Sequence, residues 1–457
     1  MGLFTWLFQW FAGSNRDVAD QLPHRSNSDL LDTDSGSATD TGSIRDAGTH
    51  NRASAPRRIK ERTAHRYPRL DGETARQRAR DRRSRRVPCL EVTGSSPYRF
   101  ARFGSQTGRY LDFSRDGNES LLRERGLPLF HTPEQLADWL GLPLNKVAWL
   151  VHRFSNGRPA DVQQAHYHFT WEKKRSGGVR LIESPKQTLK QVQVKILREI
   201  LDRIPAHTAA HGFIAGRSIL TNAMPHVGQG IVVKFDLTNF YTTVGYSRVV
   251  AIFRAIGYSR ETAIWLGLLT TNAVPGNMPF DRDKLYSLMP YWRRHLPQGA
   301  PTSPALANLS AYYLDLRLSG LARRFGANFT RYADDITISG PSDLSWGLRT
   351  LIPLVEQIIR RERFQSNRKK RQVRRAHQRQ SIAGVVVNSR PNVARDSYDR
   401  LKATLTNCIR LGPSTQNRDE VEDFAAHLRG RIAHVNQLNP TRGEKLLGLF
   451  QRINWNR

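Results

Sequence analysis

Cysteine is nearly missing: only Cys89 and Cys408 occur in 457 residues. Two thiols build neither a disulfide framework nor a four-ligand zinc site, and they suit a reducing compartment, so a cytoplasmic protein is expected. Long apolar runs are missing too, and no stretch reaches the roughly 20 residues that a membrane-spanning helix needs. Residues 1–12 (MGLFTWLFQWFA) are strongly apolar but lack a basic leader. They read either as a helix that docks on a surface or partner, or as a start without function. Acidic residues are scarce: 40 Asp and Glu face 71 Lys and Arg, a formal net charge of +31. Self-repulsion on that scale points to a polyanionic partner, or to a basic tail that inflates the total. No internal repeat and no second catalytic domain are visible.

Behind residue 12 the composition changes. Residues 13–55 are rich in Ser, Asp, Thr, Gly and Asn and poor in large apolar groups. They cannot bury enough surface to offset their ordering entropy and read as disordered. Residues 56–86 are dense in arginine (RRIKERTAHRYPRL, then RQRARDRRSRR). That composition suits an RNA-contacting arm, and also a solvated basic tail. Globular patterning begins near Ser120. Thr132 with Gln135 three residues on has capping-box spacing, and Leu136, Leu140, Val147, Leu150 and Val151 recur at helical intervals. Two short helices broken between Gly141 and Pro143 are expected. From His166, YHFTWEKKRSGGVRLIESP reads as two strands joined at Gly177 and Gly178. A helix follows with Leu189, Val192, Ile196, Ile200 and Ile204 on one face. Strands and helices alternate to about Asn388, and residues 395–457 read as helical.

Two short segments carry chemistry. In IVVKFDLTNFY, residues 231–235 form an apolar run that reads as a buried strand, with Asp236 at its end. In FTRYADDITISG, Phe329, Ile336 and Ile338 flank a polar turn holding Asp334 and Asp335, which reads as a hairpin with carboxylates at its tip. An Asp-Asp pair alone is commonplace in surface turns. If the two strands are neighbours, however, Asp236 and Asp334 converge, and such carboxylates repel unless cations neutralise them. Hard oxygen ligands suit magnesium. Two such ions about 4 Å apart can activate a 3′ hydroxyl and stabilise a leaving pyrophosphate.

RYADDITISG resembles the signature turn of reverse transcriptases, and FDLTNFY resembles their first metal-binding strand. LPQGAPTSPALANL resembles the motif that packs beneath the nascent base pair. Order and spacing match as well, across roughly residues 120–457. The resemblance implies an RNA-directed DNA polymerase with an α+β right-hand fold: fingers, a palm with a small antiparallel sheet, and a helical thumb, behind a disordered basic N-terminal extension. The expected divisions are the extension at 1–105, a helical part at 106–165, fingers and palm at 166–390, and thumb at 391–457.

Residue roles follow from the same resemblance. Asp236, Asp334 and Asp335 would hold two Mg2+ ions. Lys174 and Arg180, in the fingers hairpin, would grip the incoming triphosphate, with solvated strand residues as the alternative. Tyr241 stands where the family places an aromatic that blocks a ribose 2′ hydroxyl, and otherwise is a core tyrosine. Gln298 and Gly299 match the motif near the template base. Phe364, Asn367 and Lys370 (FQSNRKK) resemble the later motif whose lysine protonates pyrophosphate. Arg360, Arg361, Lys369, Lys370, Arg374 and Arg375 are candidate contacts to a duplex backbone.

AHGFIAGRSILTNAMPHVG resembles the retron enzymes in particular, because Asn222, Ala223 and His226 fit their Asn-Ala-x-x-His pattern. Asn222 and His226 are thus expected to contact RNA, or else to cap a helix and pack. SIAGVVVN resembles the segment where retron enzymes usually carry Val-Thr-Gly. Here Ile382, Ala383 and Gly384 stand, without the threonine hydroxyl. The resemblance implies copying of a cognate structured noncoding RNA into a branched RNA–DNA (msDNA) from dNTPs, primed by a guanosine 2′ hydroxyl. It also implies antiphage defence with a separate effector protein. A group II intron-like or other defence reverse transcriptase, or an inactive RNA-binding protein of this fold, are the alternatives.

Overall fold

The computed structural model describes residues 90–92, 94–104, 108–152, 161–174, 177–278 and 285–455. The apolar start at 1–12, the polar segment at 13–55 and the arginine-dense segment at 56–86 lie outside them. Strands β1 (Leu90–Val92), β2 (Arg102–Gly104) and β3 (Arg109–Asp112) form a small antiparallel sheet in the order β1-β3-β2. This corrects the expectation that globular structure starts near Ser120 and that the extension runs to residue 105. The strands are too short to show a two-residue period, and arginines mask the apolar positions. Arg102 of β2 nevertheless reaches a buried ring, as does Arg260 of a later helix. The Arg102 and Arg260 guanidinium groups lie 5.9 and 5.0 Å from the ring centroid of buried Phe113.

Helix α1 (Glu119–Glu124) starts at Asn118, whose side chain accepts from the Leu121 amide. Helix α2 (Pro133–Leu140) begins with the capping box of Thr132 and Gln135 and ends at left-handed Gly141. Helix α3 (Leu144–Leu150) follows the expected break. β4 (Tyr167–Lys173) and β5 (Val179–Pro185) pair as the expected antiparallel hairpin. Helix α4 (Gln187–Glu199) buries Leu189, Val192 and Ile196 but stops before Ile200. A 3-10 turn at Leu201–Arg203 then takes over, so the apolar face does not continue as α-helix to Ile204. A short helix α5 (Ile219–Ala223) precedes β6 (Ile231–Asp236).

Between β6 and the next strand lie α6 (Tyr246–Ile256), α7 (Arg260–Thr270), α8 (Leu285–Trp292), α9 (Ser303–Ser310) and α10 (Tyr312–Arg324). β7 (Asn328–Tyr332) and β8 (Asp335–Gly340) form a hairpin, followed by α11 (Leu344–Arg361) and β9 (Gln372–Arg375). β6 to β9 make one antiparallel sheet in the order β7-β8-β6-β9. Its central strands bury Ile231, Val232, Val233, Phe235, Ile336 and Ile338.

A two-residue turn at Ala383 and Gly384 joins β10 (Ser381–Ile382) to β11 (Val385–Val386). Both turn residues have positive φ, 46° and 86°. That backbone suits a tight hairpin and costs Ala383 some strain. The chain continues with α12 (Arg395–Leu411), α13 (Phe424–Leu438) and α14 (Pro440–Gln451), in keeping with the helical expectation. Leu401, Leu405, Leu428, Ile432, Leu446 and Phe450 of these helices share one core with Val385 and with Val232 of β6. Among the described residues no helix is long and apolar enough to cross a membrane.

Candidate active site

The β-sheet register creates the site. Asp236, last residue of β6, lies opposite Asp335, first residue of β8. Asp334 sits in the turn just before it, after Ala333 with φ 55°. The Leu237 amide donates to the Asp334 carbonyl (2.9 Å) and fixes the turn against the end of β6. Burial, then the charges of Asp335 and Asp236, push the Asp334 carboxyl up to about 6. Burial also raises Asp335, with the charge of Asp236 adding to it while Lys234 and Lys370 pull the other way. Lys370 Nζ lies 3.0 Å from Asp236 Oδ1, and this hydrogen bond raises the lysine further. Lys370 arrives because its segment pairs with the chain after β6. The Asn367 amide donates to the Asp236 carbonyl and the Thr238 amide to the Gln365 carbonyl, each at 2.8 Å. Phe364 is buried beneath, 5.7 Å from the Phe240 ring.

This arrangement fits a divalent cation. Mutually repelling, largely buried carboxylates carry an electrostatic cost that a cation removes. Among the described residues no three or more His, Cys, Asp or Glu side chains gather round one centre. Such a sparse donor set suits magnesium, which usually keeps waters and substrate phosphates among its ligands.

Tyr241 is brought close to this cluster. Burial and the charge of Asp334 push its phenol up to about 12, so it stays protonated at neutral pH. Tyr241→Val is expected to raise ribonucleotide incorporation relative to deoxyribonucleotide incorporation by about tenfold or more, read from steady-state ratios of kcat/KM. A ratio equal to wild type would make Tyr241 an ordinary packing residue. Gln298 and Gly299 are held against the β4–β5 hairpin. The Glu183 amide donates to the Gln298 carbonyl at 2.8 Å. Gly299 has φ 129°, and a Cβ there would stand 2.9 Å from the Glu183 carbonyl oxygen, so a side chain does not fit.

Lys174 and Arg180 lie on the hairpin, and neither is among the charges that shift Asp334 or Asp335. Lys174 is exposed at the turn, where its amide donates to the Gly178 carbonyl. Arg180 donates twice to Glu172 Oε2, at 3.0 and 2.7 Å, across the hairpin. That pair is solvent-facing and worth at most about 1 kcal/mol, so an incoming anion can compete for it. Arg360, Arg361, Lys369, Arg374 and Arg375 are exposed at the end of α11 and along the β9 side.

The expectation that Asn222 and His226 contact RNA is corrected. Both are buried, His226 completely. His226 Nδ1 lies 2.6 Å from Ser339 Oγ of β8, and Nε2 lies 2.8 Å from Thr330 Oγ1 of β7. Burial lowers the imidazole to about 3, so it is neutral and joins β7 to β8. Asn222 does not cap its helix either, since Ser218 does. The packed histidine foreseen as the alternative is what the fold contains.

Sequence reading missed Arg331. It is completely buried and forks onto Asp315, Nε to Oδ1 at 2.7 Å and Nη2 to Oδ2 at 2.6 Å. Its Nη1 donates to Asn308 Oδ1 (3.0 Å) and to the Ala333 carbonyl (2.9 Å), in the turn that holds Asp334. The available signal was an arginine inside a short strand, next to the buried Thr330.

Known proteins resemble this chain in sequence. A family described as reverse transcriptase (RNA-dependent DNA polymerase) matches residues 172–388. The chain is 38% identical to the retron Mx65 reverse transcriptase of Myxococcus xanthus, over 72% of this chain and 73% of that protein. It is 36% identical to the retron Mx162 reverse transcriptase of the same organism, over 73% and 70%. It is 27% identical to the retron Ec86 reverse transcriptase of Escherichia coli, over 74% and 93%.

Proposed function

The chain belongs to the retron reverse transcriptases, which are RNA-directed DNA polymerases, and from that premise we propose that it copies a cognate structured noncoding RNA into a branched RNA–DNA. The observation that carries the reading is the register that sets Asp236 opposite Asp335 at one end of the β6–β8 pair, with Asp334 in the adjoining turn and Lys370 on Asp236. These carboxylates are the residues that would hold two magnesium ions. When bound, the ions supply charge neutralisation and activation of the attacking hydroxyl.

The chain's own residues do the rest. Tyr241 occupies the space beside Asp334 that a ribose 2′ hydroxyl needs. Gln298 and Gly299 flank the template base, and Lys174 and Arg180 meet the triphosphate as the hairpin closes over it. Lys370 keeps a proton within reach of the departing pyrophosphate. In this reading β4 and β5 are fingers, the β6–β9 sheet is the palm and α12–α14 are the thumb. The fingers and palm run from 166 to 390 and the thumb from 391 to 457, while the sheet at residues 90–112 joins the helical part before residue 166. Exposed Arg360, Arg361, Lys369, Arg374 and Arg375 take the duplex backbone, so binding weakens steeply with salt. A cytoplasmic setting goes with dNTP use, and a role in antiphage defence beside a separate effector goes with the retron class.

The inactive RNA-binding alternative is disfavoured by the carboxylates themselves, since repelling acids at a sheet end are costly to keep without use. The test uses purified full-length protein, RNA transcribed from the DNA flanking the gene, dNTPs and magnesium. The expected product is DNA covalently joined to RNA through a 2′ linkage, shortened but not abolished by ribonuclease. Extension of annealed primers without any DNA joined to that RNA would overturn the retron reading and leave the polymerase.

A further inference from the structure

We infer that Glu183 is a positioning residue: its buried carboxylate, held by His295 and Asn272, fixes the Gln298–Gly299 turn and thereby the fit of the incoming nucleotide. The inference rests on the reading that Gln298 and Gly299 flank the template base with which that nucleotide pairs. Glu183 belongs to β5, and its side chain is completely buried, as are His295 and Asn272 to within 3%. Both carboxylate oxygens are engaged. Asn272 Nδ2 donates to Oε1 at 2.8 Å, and His295 Nε2 lies 2.7 Å from Oε2. His295 Nδ1 lies 2.7 Å from the Arg293 carbonyl, which can only accept, so that nitrogen carries a proton. One further proton then lies between Nε2 and the carboxylate, and the pair is locked in orientation at both ends.

The backbone around this pair connects the elements facing the nucleotide. Asn272 and His295 exchange main-chain hydrogen bonds of 2.9 and 2.8 Å. On one side, the Leu296 amide donates to the Val244 carbonyl and the Tyr246 amide to the Arg294 carbonyl, which fixes the loop that starts at Tyr241. On the other, the Glu183 amide holds the Gln298 carbonyl, and Gly299 packs against the Glu183 carbonyl so closely that no Cβ fits. Glu183 thus ties the hairpin, the Gln298–Gly299 turn and the Tyr241 loop to one another. Apolar side chains of similar volume would stabilise this spot at least as well as a buried polar pair. What the pair supplies is a fully satisfied, directional network that admits one arrangement.

The experiment is steady-state primer extension by full-length protein on an annealed primer–template, with KM for dNTP and kcat measured alongside thermal melting. Glu183→Ala is expected to raise the dNTP KM by about tenfold or more, since a buried polar network that loses one member no longer holds the Gln298–Gly299 turn in one arrangement. Glu183→Gln is expected to return KM to within about threefold of wild type, because Gln can accept from Asn272 and donate to His295 Nε2. Asn272→Ala removes one hydrogen bond only, and is expected to raise KM severalfold at near-wild-type melting. It decides the question should Glu183→Ala be insoluble. A wild-type KM in either variant, or a loss confined to kcat and melting temperature, overturns the inference. Gln298→Ala separates the two layers. A raised KM there with none in Asn272→Ala or Glu183→Ala sinks the Glu183 inference alone. An unchanged KM in Gln298→Ala sinks the placement of the nucleotide, and the inference with it.

Discussion

Replacing Asp334 by Asn lowers DNA synthesis by more than about a hundredfold while the folded protein becomes no less stable at neutral pH: that is the outcome expected from the geometry. Loss of one ligand to a divalent ion typically removes several kcal/mol of transition-state stabilisation. Stability should move the other way. The Asp334 carboxyl titrates near 6 in the fold against 3.8 ordinarily, because burial and its neighbours disfavour the anion. A raised carboxyl contributes stability that is fully present below about 3.8 and is lost as pH rises through about 6. At pH 7 the ionised group therefore costs on the order of 3 kcal/mol, and Asn removes that cost. Melting curves from pH 4 to 7 should show wild type falling relative to Asp334→Asn across that window. Magnesium added at pH 7 should raise the melting temperature of wild type and leave the variant nearly unmoved. Near-wild-type extension by the variant, or equal magnesium shifts in both proteins, would refute the assignment.

A second large effect is expected at Arg331, which never touches substrate. Arg331→Met leaves Asp315 as an unpaired buried anion and strips a donor from the Ala333 carbonyl. Breaking a buried pair by removing one partner costs about 3–5 kcal/mol. For a chain of this size that corresponds to a fall in melting temperature of roughly 4–6 °C. Combining Arg331→Met with Asp315→Leu should restore most of the stability, since no lone charge remains. It should not restore activity, because the catalytic turn still lacks the hydrogen bond to Ala333. A double-mutant cycle on melting, run beside primer extension, separates these two contributions. A stable single variant, or a double variant with full activity, would show that the turn does not depend on Arg331.

Local pattern made much of this site readable. An apolar strand ending in Asp236 and an apolar hairpin tipped by Asp334 and Asp335 are short-range signals, and the sheet register delivers what they imply. The capping box at Thr132 and the glycine turn at residues 177 and 178 were readable for the same reason. What stayed hidden depends on distant partners. Asn222 and His226 look like RNA ligands in a motif, yet the hydroxyls that engage His226 come from Thr330 and Ser339, on strands about a hundred residues away. Glu183 and His295 each look like surface charge until the fold closes over them. The sheet at residues 90–112 escaped notice because its strands are brief, three or four residues each.

The position of β6 has a consequence for how the protein is made. It is the inner strand of the sheet on which the site stands, yet both its partners, β8 and β9, come later in the chain, the last ending at Arg375. A ribosome adding about 5–20 residues per second leaves the run Ile231 to Phe235 without strand partners for on the order of ten seconds. During that interval the nascent chain presents a bare apolar strand with open hydrogen-bonding edges, the kind of surface that chaperones shield and that aggregates when they do not. The candidate site is therefore complete only late, after β8 has paired with β6 and the segment leading into β9 has brought Lys370 to Asp236. Yield from recombinant expression should then be governed by the rate of synthesis between residues 236 and 375 more than by the stability of the finished enzyme.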